Sequence, residues 1–375
     1  MAGIYIHIPF CKQACSYCNF HFSTKLGNKA VVLEAIHKEI ALRSNYLKGE
    51  RISSVYFGGG TPSLLEKREL EEILNTLRKN FILEEDIEYC LEANPDDITK
   101  PFLQWLKDSP INRLSIGVQS FQEADLLFMN RAHSKDEAIN AIRDAQKFGF
   151  LNISIDLIFG SQTTTDEMWK QNLDIFFDLG VDHLSAYSLT IEEKTALMHR
   201  LRNGNLNELD EERNYRQYLI LQEYIKKHGF EQYELSNYCK NGAYSKHNVS
   251  YWEGKNYLGI GPSAHSYNGI SRQWNVSNNA IYMKNLNTDV PFYDLEKLSE
   301  SDRYHEWLIT SLRTKWGGQI SKVKEHFSDK INRHFQQQLQ CLNHDVVELN
   351  NDRIKVKSDH LFQSDEVVRQ LMLNE

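Results

Sequence analysis

The chain has 375 residues, of which 41% are hydrophobic and 25% are charged, and this balance excludes disordered and collagen-like proteins. Lys and Arg number 43 against 51 Asp and Glu, so the formal net charge of −8 argues against a broad nucleic-acid-binding surface. Only 7 prolines and 19 glycines are present, which excludes long flexible linkers.

Short β-rich runs alternate with helical patterns through the first half of the chain. The predicted strands are residues 4–8, 54–57, 87–91, 113–118, 153–158 and 183–189. The predicted helices are residues 30–47, 66–77, 135–148 and 165–179, with Gly149 and Gly180 just past two helix ends. Six strand–helix units predict an α/β fold with a parallel sheet, arranged as a partial (β/α)6 barrel. Periodicity alone leaves a doubly wound sheet open as the alternative.

The pattern changes after about residue 235, which divides the chain into three predicted parts. Residues 1–235 would form the partial barrel, and residues 236–298 an irregular segment rich in Asn, Gly, Ser and Tyr. Residues 299–375 would form a smaller C-terminal module with helices at 304–312, 320–326 and 331–342. A hairpin over 345–357, with Asn350 and Asn351 at its turn, makes this module winged-helix-like.

Three of the six cysteines crowd into one loop after the first strand, in the run Cys11-Lys-Gln-Ala-Cys15-Ser-Tyr-Cys18. The N-terminus shows no basic leader or cleavage site, and no apolar run approaches the roughly 18 residues that span a bilayer. We therefore expect a cytoplasmic chain with reduced thiols, so the cluster predicts metal ligands rather than disulfides. Cys90, Cys239 and Cys341 are scattered singly and are interpreted as bystanders.

Two kinds of metal site are compatible with three clustered thiolates. A short loop can wrap three of them around one corner of an iron–sulfur cubane and leave the fourth iron open. Zinc would need a fourth protein ligand or a water, and His7 or His21 is available for that role.

The three-residue and two-residue gaps, with an aromatic residue before the last cysteine, resemble the radical S-adenosylmethionine (SAM) superfamily. The resemblance implies a [4Fe–4S] cluster on Cys11, Cys15 and Cys18. It also implies that SAM chelates the open iron and is cleaved reductively to a 5′-deoxyadenosyl radical. Tyr17 would lie against the adenine.

Polar or glycine-rich segments follow the next strands of the series. The loop Gly58-Gly59-Gly60-Thr61 is either a tight turn before a helix or, by resemblance, the site for the SAM amino group. Glu92 and Gln119 end the third and fourth strands, and Asp156 lies in the fifth. Because the carboxyl ends of parallel strands meet in one cleft, a shared site is predicted, although each residue alone could simply satisfy a loop.

Arg131 follows in the run Met-Asn-Arg-Ala-His. A guanidinium there can bind a carboxylate such as that of SAM through two hydrogen bonds. The alternative is a solvated cation at a helix end.

Four motifs together are similar to the oxygen-independent coproporphyrinogen III oxidase family. They are Tyr5-Ile-His-Ile-Pro-Phe-Cys11, the Gly-Gly-Gly-Thr-Pro-Ser loop, Gly117-Val-Gln-Ser-Phe and Asp156-Leu-Ile-Phe-Gly160. The resemblance implies SAM contacts at Tyr5, Tyr17, Gly59, Gly60, Thr61, Glu92, Gln119, Arg131 and Asp156. The oxidases decarboxylate two propionates of coproporphyrinogen III to vinyl groups, and that activity is the alternative function.

Two departures favour the sister group, the heme chaperones. Phe20 stands where the oxidases carry a further cysteine, and only ten residues precede Cys11. The run His247-Asn248-Val-Ser-Tyr251-Trp252 also resembles the HNxxYW motif proposed to bind heme in that group.

The motif implies that these four residues bind heme. A histidine can ligate heme iron, and Tyr251 and Trp252 offer flat apolar faces for a macrocycle. The alternative is a structural His–Asn turn with buried aromatics. His265 is a second candidate ligand, or else only a loop hydrogen-bonding residue.

The resemblance therefore implies a protein with a [4Fe–4S] cluster, SAM and heme as cofactors, which delivers heme to hemoproteins such as respiratory enzymes. Heme and heme-accepting apoproteins would be its partners, with no nucleic acid. Contact with a membrane would be peripheral, since no spanning segment is predicted.

Overall fold

A computed structural model describes residues 1–288 and 290–373. One twelve-stranded sheet has the order β12-β11-β10-β9-β1-β2-β3-β4-β5-β6-β8-β7, and a second sheet has the order β13-β15-β14. The strands are β1 (Ala2–Ile8), β2 (Ile52–Gly59), β3 (Leu83–Ala93), β4 (Arg113–Gln119), β5 (Ile153–Phe159), β6 (His183–Ser188), β7 (Glu231–Gln232), β8 (Asn237–Cys239), β9 (Tyr257–Ile260), β10 (His265–Tyr267), β11 (Ser271–Asn275), β12 (Tyr293–Lys297), β13 (Gly318–Gln319), β14 (Val347–Asn350) and β15 (Arg353–Val356).

Helices connect these strands throughout the chain. They are α1 (Lys29–Leu42), α2 (Lys67–Asn80), α3 (Lys100–Leu106), α4 (Glu123–Phe128), α5 (Lys135–Lys147), α6 (Asp166–Asp178), α7 (Ala196–Arg202), α8 (Glu211–His228), α9 (Lys246–Trp252), α10 (Asn279–Asn285), α11 (Glu300–Leu312), α12 (Ser321–His326), α13 (Asp329–Leu339) and α14 (Ser364–Leu371). Among the described residues, no helix combines the length and apolarity that a membrane crossing requires.

Strands β1 to β6 lie side by side in chain order, and each pairs in parallel with the next. A doubly wound sheet reverses its strand order at one point, so this consecutive order decides against that alternative. No ladder joins the two outer strands within the described ranges, in agreement with the predicted partial barrel. The carboxyl ends of six parallel strands therefore share one edge.

The predicted strands and the start of the helices in the first half are confirmed, because local signals define them. The Thr165 hydroxyl caps α6, and Ser134 forms a capping box with Glu137 at the start of α5. Gly149 and Gly180 adopt φ of +95° and +65° after helix ends, as expected of residues in the left-handed region. The helix predicted over 30–47 ends earlier, at Leu42.

The prediction of an irregular segment at 236–298 was wrong. The segment contains five further strands of the large sheet, β8 to β12, and β9 pairs in parallel with β1. These strands are three to five residues long, and all except the apolar β9 contain polar residues, so they lack the long apolar runs from which strands are predicted.

The C-terminal residues build helices α11 to α14 around a separate apolar core and a small antiparallel sheet, as the winged-helix-like prediction anticipated. The predicted hairpin is present, but its turn lies one residue later. Asn350 pairs with Arg353, so Asn351 and Asp352 form the turn, and Asn351 adopts φ of +50°. Asparagine tolerates that left-handed conformation better than most residues.

Candidate functional site

A cavity of about 440 Å³ lies where the parallel strands end, next to the loop that follows β1. Its wall includes all three clustered cysteines and eight of the nine predicted SAM contacts. These residues are Cys11, Cys15, Tyr17, Cys18, Gly59, Gly60, Thr61, Glu92, Gln119, Arg131 and Asp156. The fold therefore brings together, as the strand-end pattern predicted, residues that are up to 145 positions apart in the sequence.

Tyr5 does not line this cavity. Its ring stacks on Tyr56, with centroids 6.1 Å apart, and its side chain lines a second, larger cavity instead. Tyr56 faces the smaller cavity and donates a hydrogen bond of 2.7 Å to Glu92. The sequence predicted a SAM contact by Tyr5; its partner on the neighbouring strand, Tyr56, is the residue of this pair that lines the smaller cavity.

The three thiols are partly exposed and lie close enough to influence one another's ionisation. Burial raises the pKa of the Cys11 thiol to about 11, and the neighbouring Cys18 and Cys15 add to the rise. Burial raises the pKa of the Cys18 thiol as well. Cys11 and Cys18 are therefore protonated thiols at neutral pH, and binding of a metal or cluster to them must release protons.

Arg131 contacts one of the three cysteines directly. Its Nη1 donates to the Cys15 Sγ at 3.2 Å, and its Nη2 donates to the Asn94 Oδ1 at 2.6 Å and to the Gly117 carbonyl oxygen. Its Nε is buried and has no hydrogen-bond partner among the described residues. An orphaned guanidinium nitrogen at a cavity wall is costly unless a ligand accepts its proton, which fits a carboxylate-bearing ligand.

Two carboxylates face the same cavity. Burial raises the pKa of Glu92 to about 7, and the charge of Asp156 adds to the rise, whereas the Tyr56 hydrogen bond opposes it. Burial likewise raises the pKa of Asp156 to about 6. Such groups favour a cationic partner, because an ammonium or sulfonium charge would stabilise their ionised forms.

The glycine loop and Gln119 have backbone conformations that few residue types can adopt at these places. A Cβ on Gly59, whose φ is +105°, would lie 2.4 Å from the His7 ring, and one on Gly60 would lie 2.6 Å from the Phe10 carbonyl oxygen. The glycines therefore let β2 approach the backbone before the cysteine loop. Gln119 adopts φ of +70°, a strained conformation that is concentrated at functional sites.

Among the described residues, no three His, Cys, Asp or Glu side chains converge closely enough to hold a single metal ion. The histidines offered as fourth zinc ligands have other partners. The two ring nitrogens of His7 contact the Tyr5 hydroxyl and the His21 carbonyl oxygen, and the His21 Nε2 contacts Asn279. The donor set fits a larger thiolate-bound cluster better than tetrahedral zinc.

The larger cavity has a volume of about 1510 Å³ and adjoins the first. Asn19, Phe20, Tyr187 and Asn248 line both. Phe20, at the position of the missing fourth cysteine, is 67% exposed. Tyr251 and Trp252 of the HNxxYW motif line the larger cavity, as does His265.

His247 does not line either cavity. The side chain is 1% exposed, and its Nδ1 and Nε2 lie 2.8 Å from the Ser54 hydroxyl and the Tyr251 hydroxyl. Burial lowers its pKa to about 3, so the ring is neutral. Both ring nitrogens of His247 are engaged in hydrogen bonds, and the ring is buried away from both cavities. A role as iron ligand would require His247 to give up one of these hydrogen bonds and to become accessible.

Comparisons with known proteins agree with this geometry. A family model described as Radical SAM superfamily matches residues 5–176. Proteins named Heme chaperone HemW are 34% identical over 326 residues in Mycobacterium tuberculosis, covering 86% of this chain and 84% of the relative. In Lactococcus lactis the identity is 33% over 352 residues, covering 94% and 92%. The chain belongs to the HemW heme chaperone family.

Coproporphyrinogen III oxidase (HemN) from Escherichia coli, described as a radical SAM enzyme, has a similar structure. The TM-score is 0.85 at 22% identity, with 99% of this chain and 89% of that chain covered. The predicted radical SAM fold is therefore confirmed, and so is the predicted membership of the HemW branch.

Several residues of this HemW-family site were not predicted from the sequence. Tyr56, Asn94 and Tyr187 line the smaller cavity, and Asn94 also binds Arg131. Tyr56 and Tyr187 lie in predicted strands, and Asn94 directly follows β3, which runs two residues further than predicted. Only the alternation of side chains along a strand would have indicated which way Tyr56 faces.

Proposed function

We propose that this protein is a radical SAM heme chaperone that binds a [4Fe–4S] cluster, SAM and heme, and passes heme to hemoproteins such as respiratory enzymes. One observation carries the proposal: a thiol-bearing cavity adjoins a much larger cavity with aromatic walls, through four shared wall residues. The larger one exceeds the roughly 300–1,000 Å³ of common small-molecule sites, which suits a macrocycle.

In the smaller cavity, Cys11, Cys15 and Cys18 would hold the cluster, which supplies one-electron chemistry when bound. The unpartnered Arg131 Nε supports binding of the SAM carboxylate there. The carboxylates of Glu92 and Asp156 would face its positive charges. Tyr17, Gly59, Gly60, Thr61 and Gln119 would complete the walls.

In the larger cavity, Tyr251 and Trp252 would pack against heme, and Asn248 would lie between the two cofactors. His247 supports Tyr251 through its hydrogen bond and would contribute to heme binding indirectly.

We also propose that residues 299–375 form a module that covers this cavity, since Trp307 and Arg303 of α11 line it while the module keeps its own core. Residues 1–235 and 236–298 would share one sheet.

The test uses the full chain, reconstituted anaerobically with iron and sulfide. Hemin titration should produce a saturable Soret band, and a heme-free acceptor hemoprotein added afterwards should gain that heme at the chaperone's expense. A reconstituted protein that neither retains hemin nor transfers it would overturn the proposal.

The same sample distinguishes the proposed function from coproporphyrinogen oxidation. We expect coproporphyrinogen III to remain unchanged when SAM and a reductant are present, and formation of protoporphyrinogen IX would replace the chaperone assignment. The protein would receive and deliver heme in the cytoplasm. Any contact of the protein with a membrane would be peripheral.

A further inference from the structure

Strands β10 and β11 present one polar and one aromatic face. Ser266, Gln273 and Asn275 are buried on the side toward α1, whereas His265 and Tyr267 alternate with them and face the larger cavity. His265 pairs with Trp274 across the hairpin, with ring centroids 6.3 Å apart. Because side chains on a strand alternate, this face is a flat aromatic surface with one histidine in it.

The buried face is hydrogen-bonded to two charged residues, Glu39 of α1 and Arg43 just after that helix. The fully buried Glu39 accepts hydrogen bonds of 2.8 Å from the Gly261 N–H and the Asn275 amide. Arg43 donates to the Gln273 Oε1 at 2.6 Å and contacts the Ser266 hydroxyl at 3.4 Å. The strand that carries His265 is thus anchored from behind, which is what a fixed ligand position requires.

The His265 ring itself is exposed, and no hydrogen bond to either ring nitrogen is present within the described part of the chain. Burial and the charge of Arg272 lower its pKa, so the ring is neutral and able to donate a lone pair to iron. Both nitrogens of His247, by contrast, are engaged.

The charge of the larger cavity is opposite to that of the whole chain. Six cations line it, against three carboxylates, although the chain carries a formal −8. Arg272 is paired with Glu306, but the Arg303 Nε is buried and has no hydrogen-bond partner in the described ranges. Arg303 lines the same cavity as His265 and Tyr267 of the aromatic face.

We propose that His265 would ligate the iron of a heme bound in this cavity and that Arg303 would bind one of its propionates. This inference rests on the proposed function and adds the two residues that would determine iron ligation and carboxylate recognition. The flat face of β9 to β11 would take one side of the macrocycle. Arg303, on α11, would reach its acidic edge from the C-terminal module.

The first test is hemin titration of the reconstituted full chain and of its His265→Ala variant, followed by absorption and electron paramagnetic resonance spectra. We expect His265→Ala to lose the histidine-ligated spectrum and to bind hemin about tenfold more weakly. Added imidazole should restore the parent spectrum, because it fills the vacated coordination position. A merely structural role for His265 would not be rescued in this way.

Two further variants keep the ligand assignment falsifiable. His344→Ala, an exposed histidine outside the cavity, should retain the parent spectrum. If His247→Gln or His326→Ala abolishes histidine ligation while His265→Ala retains it, the inference is overturned. A parent protein that binds no hemin would instead overturn the proposed function itself.

The second test addresses Arg303. Replacement by Gln should weaken hemin binding about tenfold, the usual effect of losing a charge-assisted hydrogen bond. The parent and Arg303→Gln should bind hemin dimethyl ester equally, since the esters carry no propionate charge. A loss of the same size for both ligands would contradict a propionate contact.

Discussion

The Glu39 carboxylate of α1 accepts a hydrogen bond of 2.8 Å from the backbone N–H of Gly261, at the end of β9. It connects the first helix to a loop 222 residues later. Burial raises the pKa of Glu39, and the charge of Arg43 opposes that effect. The contact therefore joins α1 to the end of β9, and the same carboxylate forms a buried ion pair with Arg43.

Removing Glu39 should destabilise the protein strongly. Glu39→Ala leaves the buried Arg43 without its counter-charge, so we expect the free energy of unfolding in urea to fall by about 3–5 kcal/mol. The matched control is Glu34→Ala on the exposed face of the same helix, which should change it by less than about 0.5 kcal/mol. Equal effects of the two variants would show that the buried hydrogen bonds and ion pair of Glu39 do not stabilise the fold.

A second prediction compares two glycines that both adopt positive φ. Gly59→Ala must push aside the His7 ring, whereas Gly149→Ala meets nothing within 4 Å. Both variants carry the backbone strain of about 1 kcal/mol, but only Gly59→Ala adds the clash. We expect Gly59→Ala to lower the midpoint of thermal unfolding clearly more than Gly149→Ala does. Equal shifts in the two variants would show that the His7 ring moves aside without cost.

The cysteine assignment predicts a selective loss of cluster. Cys11→Ser should reduce the iron and sulfide retained after anaerobic reconstitution to less than about a third, since a thiolate ligand is lost. Cys341→Ser, at an exposed helix end, should retain the parent's content and its absorbance near 400 nm. Zinc bound in preference to iron would contradict the assignment.

Arg131 supplies the test of the SAM site. Arg131→Gln keeps a hydrogen-bonding side chain but loses the charge, so SAM affinity measured by calorimetry should fall at least about tenfold. Arg143→Gln, on an exposed part of α5, should bind SAM as the parent does. An unchanged affinity in Arg131→Gln would remove Arg131 from the site.

The pKa of Glu92 predicts a pH-dependent stability difference. Burial raises that pKa to about 7, so the folded protein binds the proton more tightly than the unfolded chain. Glu92 therefore stabilises the fold below about pH 4.5, and that stabilisation is lost as the pH rises to 7. In the cluster-free protein, Glu92→Gln should gain about 2 kcal/mol relative to the parent across this range.

The control for this pH dependence is Glu85→Gln, which lies exposed on the same strand and should follow the parent curve. Urea midpoints between pH 5 and 8 provide the measurement. A constant difference between Glu92→Gln and the parent at all pH values would show that the carboxylate does not titrate in this range.

The first half of the fold was predictable because its signals are local. Apolar strands, capping residues such as Thr165 and the glycines after helices depend on a few neighbouring residues. Convergence of Glu92 and Asp156 on one edge followed from parallel strand geometry.

Other features depend on contacts between distant segments, which no local pattern records. The short strand β10 is recognisable only through its partners, and the burial of His247 depends on Ser54 in β2. The motif around His247 predicted an accessible ligand because the motif alone cannot tell which side of α9 faces the cavity.

The position of β1 in the sheet has a consequence for synthesis of the chain. One of its neighbours is β2, but the other is β9, which begins only at Tyr257. During translation, the strand that leads into the cysteine loop therefore keeps an open, apolar edge until most of the polypeptide has left the ribosome. Nascent chains stalled before Tyr257 should accordingly recruit chaperones or aggregate, and acquisition of the cluster should be timed to the end of synthesis.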